Sequence, residues 1–187
     1  MKIIGFSASP RSDGNTAWVI SKILEGAKEK GAETEFLRFS DLNIKPCRGC
    51  LGCLRGERKC VVNDDMQKIY AALKTADALV LGSPVYMGQM SAQAKIFTDR
   101  LFAQITPRFS PNFKKENAGK KMLLVFTQGN PDEKMFKEYF DYTEKMFKLL
   151  EFDVKGVQVI AGMRKEPARE RQGLAELMKN AGASLVR

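Results

Sequence analysis

The chain has no histidine. That absence removes histidine-based hydrolytic triads, histidine-assisted zinc hydrolysis and the usual acid/base group that titrates near neutral pH. The chemistry is therefore expected to fall to a bound cofactor. No uninterrupted apolar run approaches the ~20 residues that cross a bilayer. The chain opens with Lys2-Ile3-Ile4-Gly5-Phe6, without a basic leader and cleavage site, so a soluble, cytoplasmic protein with no membrane partner is expected. Cysteine is absent outside one short stretch, unlike the spread of a disulfide framework. Acidic residues are the minority charge: 22 Asp and Glu stand against 31 Lys and Arg, a formal net charge of +9. Such a balance speaks to association rather than to fold. No finger spacing, RNP-like aromatic strand or basic heptad array accompanies it, so a solvated basic surface is preferred to a nucleic-acid groove.

The 187 residues suit one domain, read here as a single unit over 1–187. At this size roughly 70% of the unfolded surface can be buried, so no metal is needed merely to hold a core. Short apolar runs alternate with helical stretches, the pattern of an α/β protein with a mostly parallel sheet. Runs such as Ala78-Leu79-Val80-Leu81 and Met122-Leu123-Leu124-Val125-Phe126 lack inside/outside alternation, as expected of strands covered on both faces. Strands are predicted over 3–6, 34–39, 78–81, 122–126 and 154–160. Ala17, Ile20, Leu24 and Ala27 recur at helical spacing, as do Phe136, Tyr139, Phe140, Thr143, Phe147 and Leu150, an aromatic stripe assigned to core. Further helices fit 65–74, 91–102 and 168–183. Five strands alternating with five helices make a flavodoxin-like doubly wound sheet of order 2-1-3-4-5 the leading topology. Two segments interrupt the alternation: an inserted loop over 41–63 that holds every cysteine, and 104–119 with Pro107 and Pro111.

In such a sheet the ligand crevice lies beyond the carboxyl ends of the strands. Three segments belong there. Ser7-Ala8-Ser9-Pro10-Arg11-Ser12-Asp13-Gly14-Asn15-Thr16 follows strand one and opens a helix, offering small hydroxyls, backbone donors and the planar charge of Arg11 to a phosphate. An ordinary turn with Asn15 or Thr16 capping the helix would account for the same residues. The segment is neither Gly-x-Gly-x-x-Gly nor a Walker loop, which disfavours the familiar dinucleotide and nucleoside triphosphate sites. Gly82-Ser83-Pro84-Val85-Tyr86-Met87-Gly88 follows strand three, its glycines allowing backbone to approach a flat ring; a plain Pro/Gly turn is the alternative. Thr127-Gln128-Gly129-Asn130-Pro131 follows strand four.

Cys47, Cys50, Cys53 and Cys60 form Cys-x2-Cys-x2-Cys-x6-Cys. Clustering of this kind points to metal or redox chemistry. Three cysteines at two-residue gaps wrap around one corner of a cubane cluster better than they form the two separated pairs of a zinc finger. Val61 stands where the bacterial ferredoxin run has proline. Gly49, Gly52 and Gly56 free the backbone to curl, and Lys45, Arg48, Arg55, Arg58 and Lys59 surround the thiolates with positive charge.

Ser9-Pro10-Arg11 with Gly14-Asn15-Thr16, then Gly82-Ser83-Pro84-Val85-Tyr86 and Lys95-Ile96-Phe97-Thr98-Asp99-Arg100, resembles the NADPH-dependent FMN reductase-like branch of the flavodoxin-like proteins. With the cysteine motif added, the chain resembles the iron-sulfur flavoproteins of that family. The resemblance implies FMN, with Ser9, Arg11, Asn15 and Thr16 at its phosphate and Pro84, Val85, Tyr86, Met87, Thr127, Gln128 and Gly129 at its isoalloxazine. It implies one [4Fe-4S] cluster on Cys47, Cys50, Cys53 and Cys60, and a homodimer or homotetramer. The function expected is an oxidoreductase passing electrons between cluster and FMN, from a ferredoxin-like donor to a small-molecule acceptor such as oxygen, peroxide or a quinone. The donor is expected to be acidic, because only Glu57 offsets the basic residues between Lys45 and Cys60. The alternative is an NAD(P)H-dependent FMN or quinone reductase with a structural cysteine loop; a cluster-sensing regulator that binds nucleic acid ranks below both. No side chain is assigned as a catalytic acid or base, Tyr86 beside the ring being the one candidate.

Overall fold

The computed structural model describes residues 1–55, 59–104 and 117–186. Gly56, Glu57, Arg58, Pro107 and Pro111, singled out above, lie outside the described residues. The elements in chain order are β1 (Lys2–Ser7), α1 (Asn15–Glu29), β2 (Glu33–Arg38), α2 (Met66–Thr75), β3 (Ala78–Tyr86), β4 (Gln89–Met90), α3 (Ala92–Arg100), β5 (Lys121–Thr127), α4 (Lys137–Leu149), β6 (Asp153–Ile160) and α5 (Leu174–Leu185). Five parallel strands pair in the order β2-β1-β3-β5-β6, and the short β4 pairs antiparallel to the end of β3. Counted over the parallel strands alone, this is the expected 2-1-3-4-5. Among the described residues no helix is long and apolar enough to cross a membrane.

The unalternating apolar runs feed two cores. Ile4, Phe6, Leu79, Leu81, Met122, Leu124 and Phe126 meet α2, α3 and α4 on one face. Ile3, Ala78, Val80, Leu123 and Val125 meet α1 and α5 on the other. Successive strand residues point to opposite faces, so a strand buried on both must be apolar throughout. The aromatic stripe of α4 is core, as expected: Phe140, Thr143 and Phe147 are buried, and Phe140 stacks on Phe126 with ring centroids 4.5 Å apart. On the opposite face α1 and α5 cross in backbone contact. A Cβ built on Gly26 would fall far inside contact with the Lys179 carbonyl, and one on Gly182 inside contact with that of Ile23.

Two expectations need correction. The segment 82–86 is not a loop after strand three but the end of β3, which runs on past the end of β1. Pro84 pairs with Thr127 beyond Gly82, the last residue of β3 that β1 flanks. A missing N–H is tolerated at such an edge. The turn itself is Met87-Gly88, both at positive φ (48° and 79°), the backbone twist that suits a two-residue hairpin. The helix expected over 168–183 begins only at Leu174, because Gly173 at φ 76° separates it from a 3-10 turn at Ala168–Glu170.

The inserted loop is closed at its base. The Asp65 carboxylate accepts from the Asn43 amide (2.8 Å), and the Asp64 carboxylate from the amides of Lys45 (2.8 Å) and Met66 (3.0 Å). Arg100, at the end of α3, donates to Asp64 through both terminal nitrogens (2.8 and 3.1 Å) and to the Lys45 carbonyl (2.7 Å). Both side chains of this ion pair are buried, at 1% and 2% exposure. Burial alone would raise the Asp64 carboxyl, but the Arg100 guanidinium and the two amides outweigh it and hold it below the usual carboxylate range. Phe39, just before the loop, packs with Phe6 and Phe97 at centroid distances of 5.2–5.7 Å and fixes α3 against the sheet.

Two consequences are measurable. Helix propensity favours Ala over Gly by about 1 kcal/mol, yet Gly182→Ala should destabilise the fold by about 1–3 kcal/mol, because the Ile23 carbonyl is backbone and cannot swing aside. Urea denaturation decides it, and a stabilised variant would refute the close crossing. Asp64→Asn should cost about 3–5 kcal/mol at pH 7 by leaving a buried guanidinium unpaired. Since the folded Asp64 value lies below the unfolded one of about 3.9, the pair's stabilisation is full above that value and is lost as pH falls through the folded value. The difference between native protein and variant should accordingly narrow in acid; a difference that stays constant from neutral pH into the acid limb would remove Asp64 from the stability account.

Candidate cofactor site and cysteine loop

The parallel sheet brings the three sequence-defined segments to one edge. Ser7 pairs with Gly82, Pro84 with Thr127 and Thr127 with Ile160, so the carboxyl ends of four strands lie side by side. Cross-links hold them. The Ala8 amide donates to the Gly82 carbonyl (2.8 Å), and the Ser91 hydroxyl to the Ala8 carbonyl (2.6 Å). The hydroxyls of Thr16 and Thr127 share a hydrogen bond of 2.7 Å across 111 residues of sequence.

At the start of α1 the N-cap is Gly14, with no side-chain cap and no acidic residue in the first turn. The capping role weighed above for Asn15 or Thr16 is not what their side chains do. The Asn15 side-chain Oδ1 accepts from the Ala168 amide (3.0 Å), leaving its Nδ2 as the remaining donor, and Thr16 turns to Thr127. Ser9 is buried and its hydroxyl accepts from the Arg11 amide (3.1 Å); Arg11 is exposed, and no carboxylate pairs with it among the described residues. The helix therefore presents uncompensated N–H groups and the positive end of its dipole beside a free guanidinium.

Pro84 is buried, Val85 half-buried, Tyr86 exposed at 41% and Met87 wholly exposed on the hairpin tip. The hairpin is braced by α4, since the Met90 amide donates to the Tyr139 hydroxyl (3.2 Å). Gln128 is buried; its Nε2 donates to the carbonyls of Asn130 (3.2 Å) and Asp132 (2.7 Å), while its Oε1 has no partner among the described residues. Gly129 is exposed, and a Cβ there would stand 3.5 Å from the Arg164 side chain. Sequence reasoning missed Arg164 and Lys165. They follow β6 at the same edge and line a cavity of about 430 Å³ with Gly129, Asn130, Pro131 and Gly162. The readable signal was a glycine followed by two basic residues at the end of the last strand.

The cysteine loop leaves after β2 and lies apart from these segments in sequence. Gly49 (φ 62°) and Leu51 (φ 54°) are both left-handed, which curls the chain between Cys47 and Cys53, and a Cβ on Gly52 would press on Val61. Cys47 and Cys50 are exposed, Cys53 and Cys60 half-buried, and all four are free thiols. Burial, then the charges of Cys60, Cys47 and Cys50, push the Cys53 thiol up. Among the described residues no three His, Cys, Asp or Glu side chains are drawn into a ready-made metal site. The chemistry of the donor set, four thiols in one curled loop with no competing imidazole, fits an iron-sulfur cluster. Lys45, Arg48, Arg55 and Lys59 are exposed around it.

Comparison with known proteins agrees with this geometry. Over residues 1–135 the chain matches the family model of NADPH-dependent FMN reductase. It is 46% identical over 100 residues to an iron-sulfur flavoprotein of Methanocaldococcus jannaschii, covering 54% of this chain and 51% of that protein. It is 43% identical over 100 residues to an iron-sulfur flavoprotein of Methanosarcina thermophila, covering 54% and 52%. The matched stretch thus spans about half the length of these curated relatives. Among solved structures, the NAD(P)H:quinone oxidoreductase from Methanothermobacter marburgensis has the same fold, with a TM-score of 0.75 over 99% of this chain and 98% of that one, at 16% identity. By sheet order, by the segments at its carboxyl edge and by the extent of the family match, this chain belongs to the NADPH-dependent FMN reductase family.

Proposed function

We propose that this chain is an oxidoreductase that holds FMN at the carboxyl edge of its sheet and a [4Fe-4S] cluster on Cys47, Cys50, Cys53 and Cys60, and passes electrons between them. The observation that carries the flavin half is the start of α1: an uncapped helix N-terminus beside an unpaired Arg11. A phosphate dianion without a metal is stabilised by such donors together. In this reading Ser9, Arg11, Asn15 and Thr16 meet the phosphate, Asn15 through its Nδ2 and Thr16 through its amide. Pro84, Val85, Tyr86 and Met87 border the ring on one side, and Thr127, Gln128 and Gly129 on another, where the Gln128 side-chain oxygen is buried and without a partner among the described residues. Bound FMN would accept electrons singly and deliver them in pairs. The protein's part is positioning and charge, which suits a chain without histidine.

The electron donor is proposed to be an acidic, ferredoxin-like protein that docks at the basic cysteine loop. The acceptor is a small molecule such as oxygen, peroxide or a quinone, and the working form a homodimer or homotetramer. One observation favours a second reading, in which NAD(P)H reduces the flavin directly and the cysteine loop is structural. Arg164 and Lys165 line the cavity next to Gly129, where the phosphates of a nicotinamide dinucleotide would be attracted. Anaerobic mixing with NADPH separates the two: rapid bleaching of the flavin without any protein donor supports the second.

Two outcomes test the main reading. Arg11→Ala should weaken FMN binding by about 1.5–3 kcal/mol, the range for hydrogen bonds to a charged group; unchanged flavin affinity would take Arg11 out of the site. Protein purified anaerobically should carry iron and sulfide in equal amounts together with FMN. Cys53→Ala should lose the iron and sulfide while keeping FMN, and its flavin should no longer be reduced by ferredoxin, although dithionite still reduces it. A general unfolding with loss of both groups would instead mark a structural metal.

A further inference from the structure

Two side chains of α2 add to the clasp at the base of the cysteine loop. The Tyr70 hydroxyl, on α2, donates to the Arg100 carbonyl (2.7 Å), and Gln67, one turn earlier, donates to the carbonyls of Cys60 (3.2 Å) and Val62 (2.8 Å). Cys60 itself packs against the core that contains Tyr70. Burial alone would lower Arg100; Asp64 and Tyr70 hold it above its ordinary value. Arg100 Nε has no partner among the described residues, so the guanidinium keeps one open donor in the interior.

We propose that the Arg100–Asp64 pair is a positioning and charge-setting element of the cysteine loop: it closes the loop at Lys45 and Asp64 and keeps a guanidinium on the Lys45 carbonyl, two residues before Cys47. The inference rests on the reading of the four cysteines as cluster ligands. Its physical basis is the low polarisability of the interior, where an added negative charge on the thiolate side is offset by a nearby cation that water does not screen. Arg100 cannot lose its proton, so its charge persists whatever the state of Asp64. Charges around sulfur ligands shift the potential of an iron-sulfur centre. Arg100 acts through the loop backbone at Lys45 and through Asp64, and is a positioning residue rather than a catalytic one.

The test compares Arg100→Gln, Asp64→Asn and the double variant in protein loaded anaerobically with iron, sulfide and FMN, reading the midpoint potential of the cluster and its EPR signal. Removing the cation should move the potential down. Removing the carboxylate, which leaves the guanidinium unopposed, should move it up, and the double variant should return close to the native value. FMN content should be unchanged in all three. A purely structural role would move both single variants in the same direction or leave the potential alone with cluster content intact, and either result overturns the proposal. Should Arg100→Gln fail to fold, Asp64→Asn keeps the side-chain shape and carries the test by the direction of its shift. Native protein that takes up no iron would defeat the reading of the cysteine loop and with it the charge-setting role. The clasp is then judged in metal-free protein by hydrogen exchange, where the Lys45 and Met66 amides should exchange about tenfold faster in Asp64→Asn, the loss of a bond to a charged acceptor. Unaltered exchange there would overturn the clasp as well.

Discussion

A guanidinium with no access to solvent constrains everything around it. Among the described residues Arg100, at the end of α3, heads the largest wholly buried side chains, and it holds that place only because the Asp64 carboxylate and the Lys45 carbonyl accept from its guanidinium while the Tyr70 hydroxyl donates to its own carbonyl. Those partners come from three stretches of chain: the outgoing limb of the cysteine loop at Lys45, the returning limb at Asp64, and α2 at Tyr70. An unpaired charge inside would be far more costly than the pair itself, so the three stretches are compelled to meet. The loop between them is therefore closed at its base while its cysteine-bearing part remains accessible at the surface.

The same helix connects this clasp to the first carboxyl-edge segment. α3 begins at Ser91, whose hydroxyl is bonded to the Ala8 carbonyl next to the first carboxyl-edge segment, and ends at Arg100. A nine-residue helix rises about 13 Å, so the candidate flavin segments and the cysteine loop are mounted on the two ends of one rigid element. Phe97, in the middle of it, is locked by Phe6 and Phe39. Motion of one site relative to the other would have to disrupt a buried aromatic cluster, which well-packed interiors resist.

The strand order, the two-faced burial of the strands and the convergence of three loops at one edge were legible because they follow from local patterns: unbroken apolar runs, helical spacing, and Gly, Pro and small hydroxyl residues after each run. The cysteine spacing was legible for the same reason, being contained in one short stretch. Less readable was the extent of β3, because Gly82, Ser83 and Pro84 read as turn residues until it is seen that β1 ends beside Gly82 and leaves the edge on which proline is tolerated. The start of α5 was misjudged for a related reason: Gly173 in a left-handed conformation interrupts a periodicity that otherwise continues.

The sequence by itself determined the class of fold, the absence of histidine chemistry and the grouping of four thiols, since each is set by composition or by neighbours along the chain. Only the tertiary structure decided which polar groups are satisfied and which are left open. That Asn15 is taken by Ala168, that Thr16 turns to Thr127, that Gln128 keeps an unpartnered oxygen, and that Arg164 and Lys165 border the same edge all depend on residues far apart in sequence. So does the meeting of Arg100 with Asp64, 36 residues away. Hydrogen-bond and charge partners are assigned by proximity in space, and that proximity exists only once the sheet has set its strand order and the helices have closed on both faces.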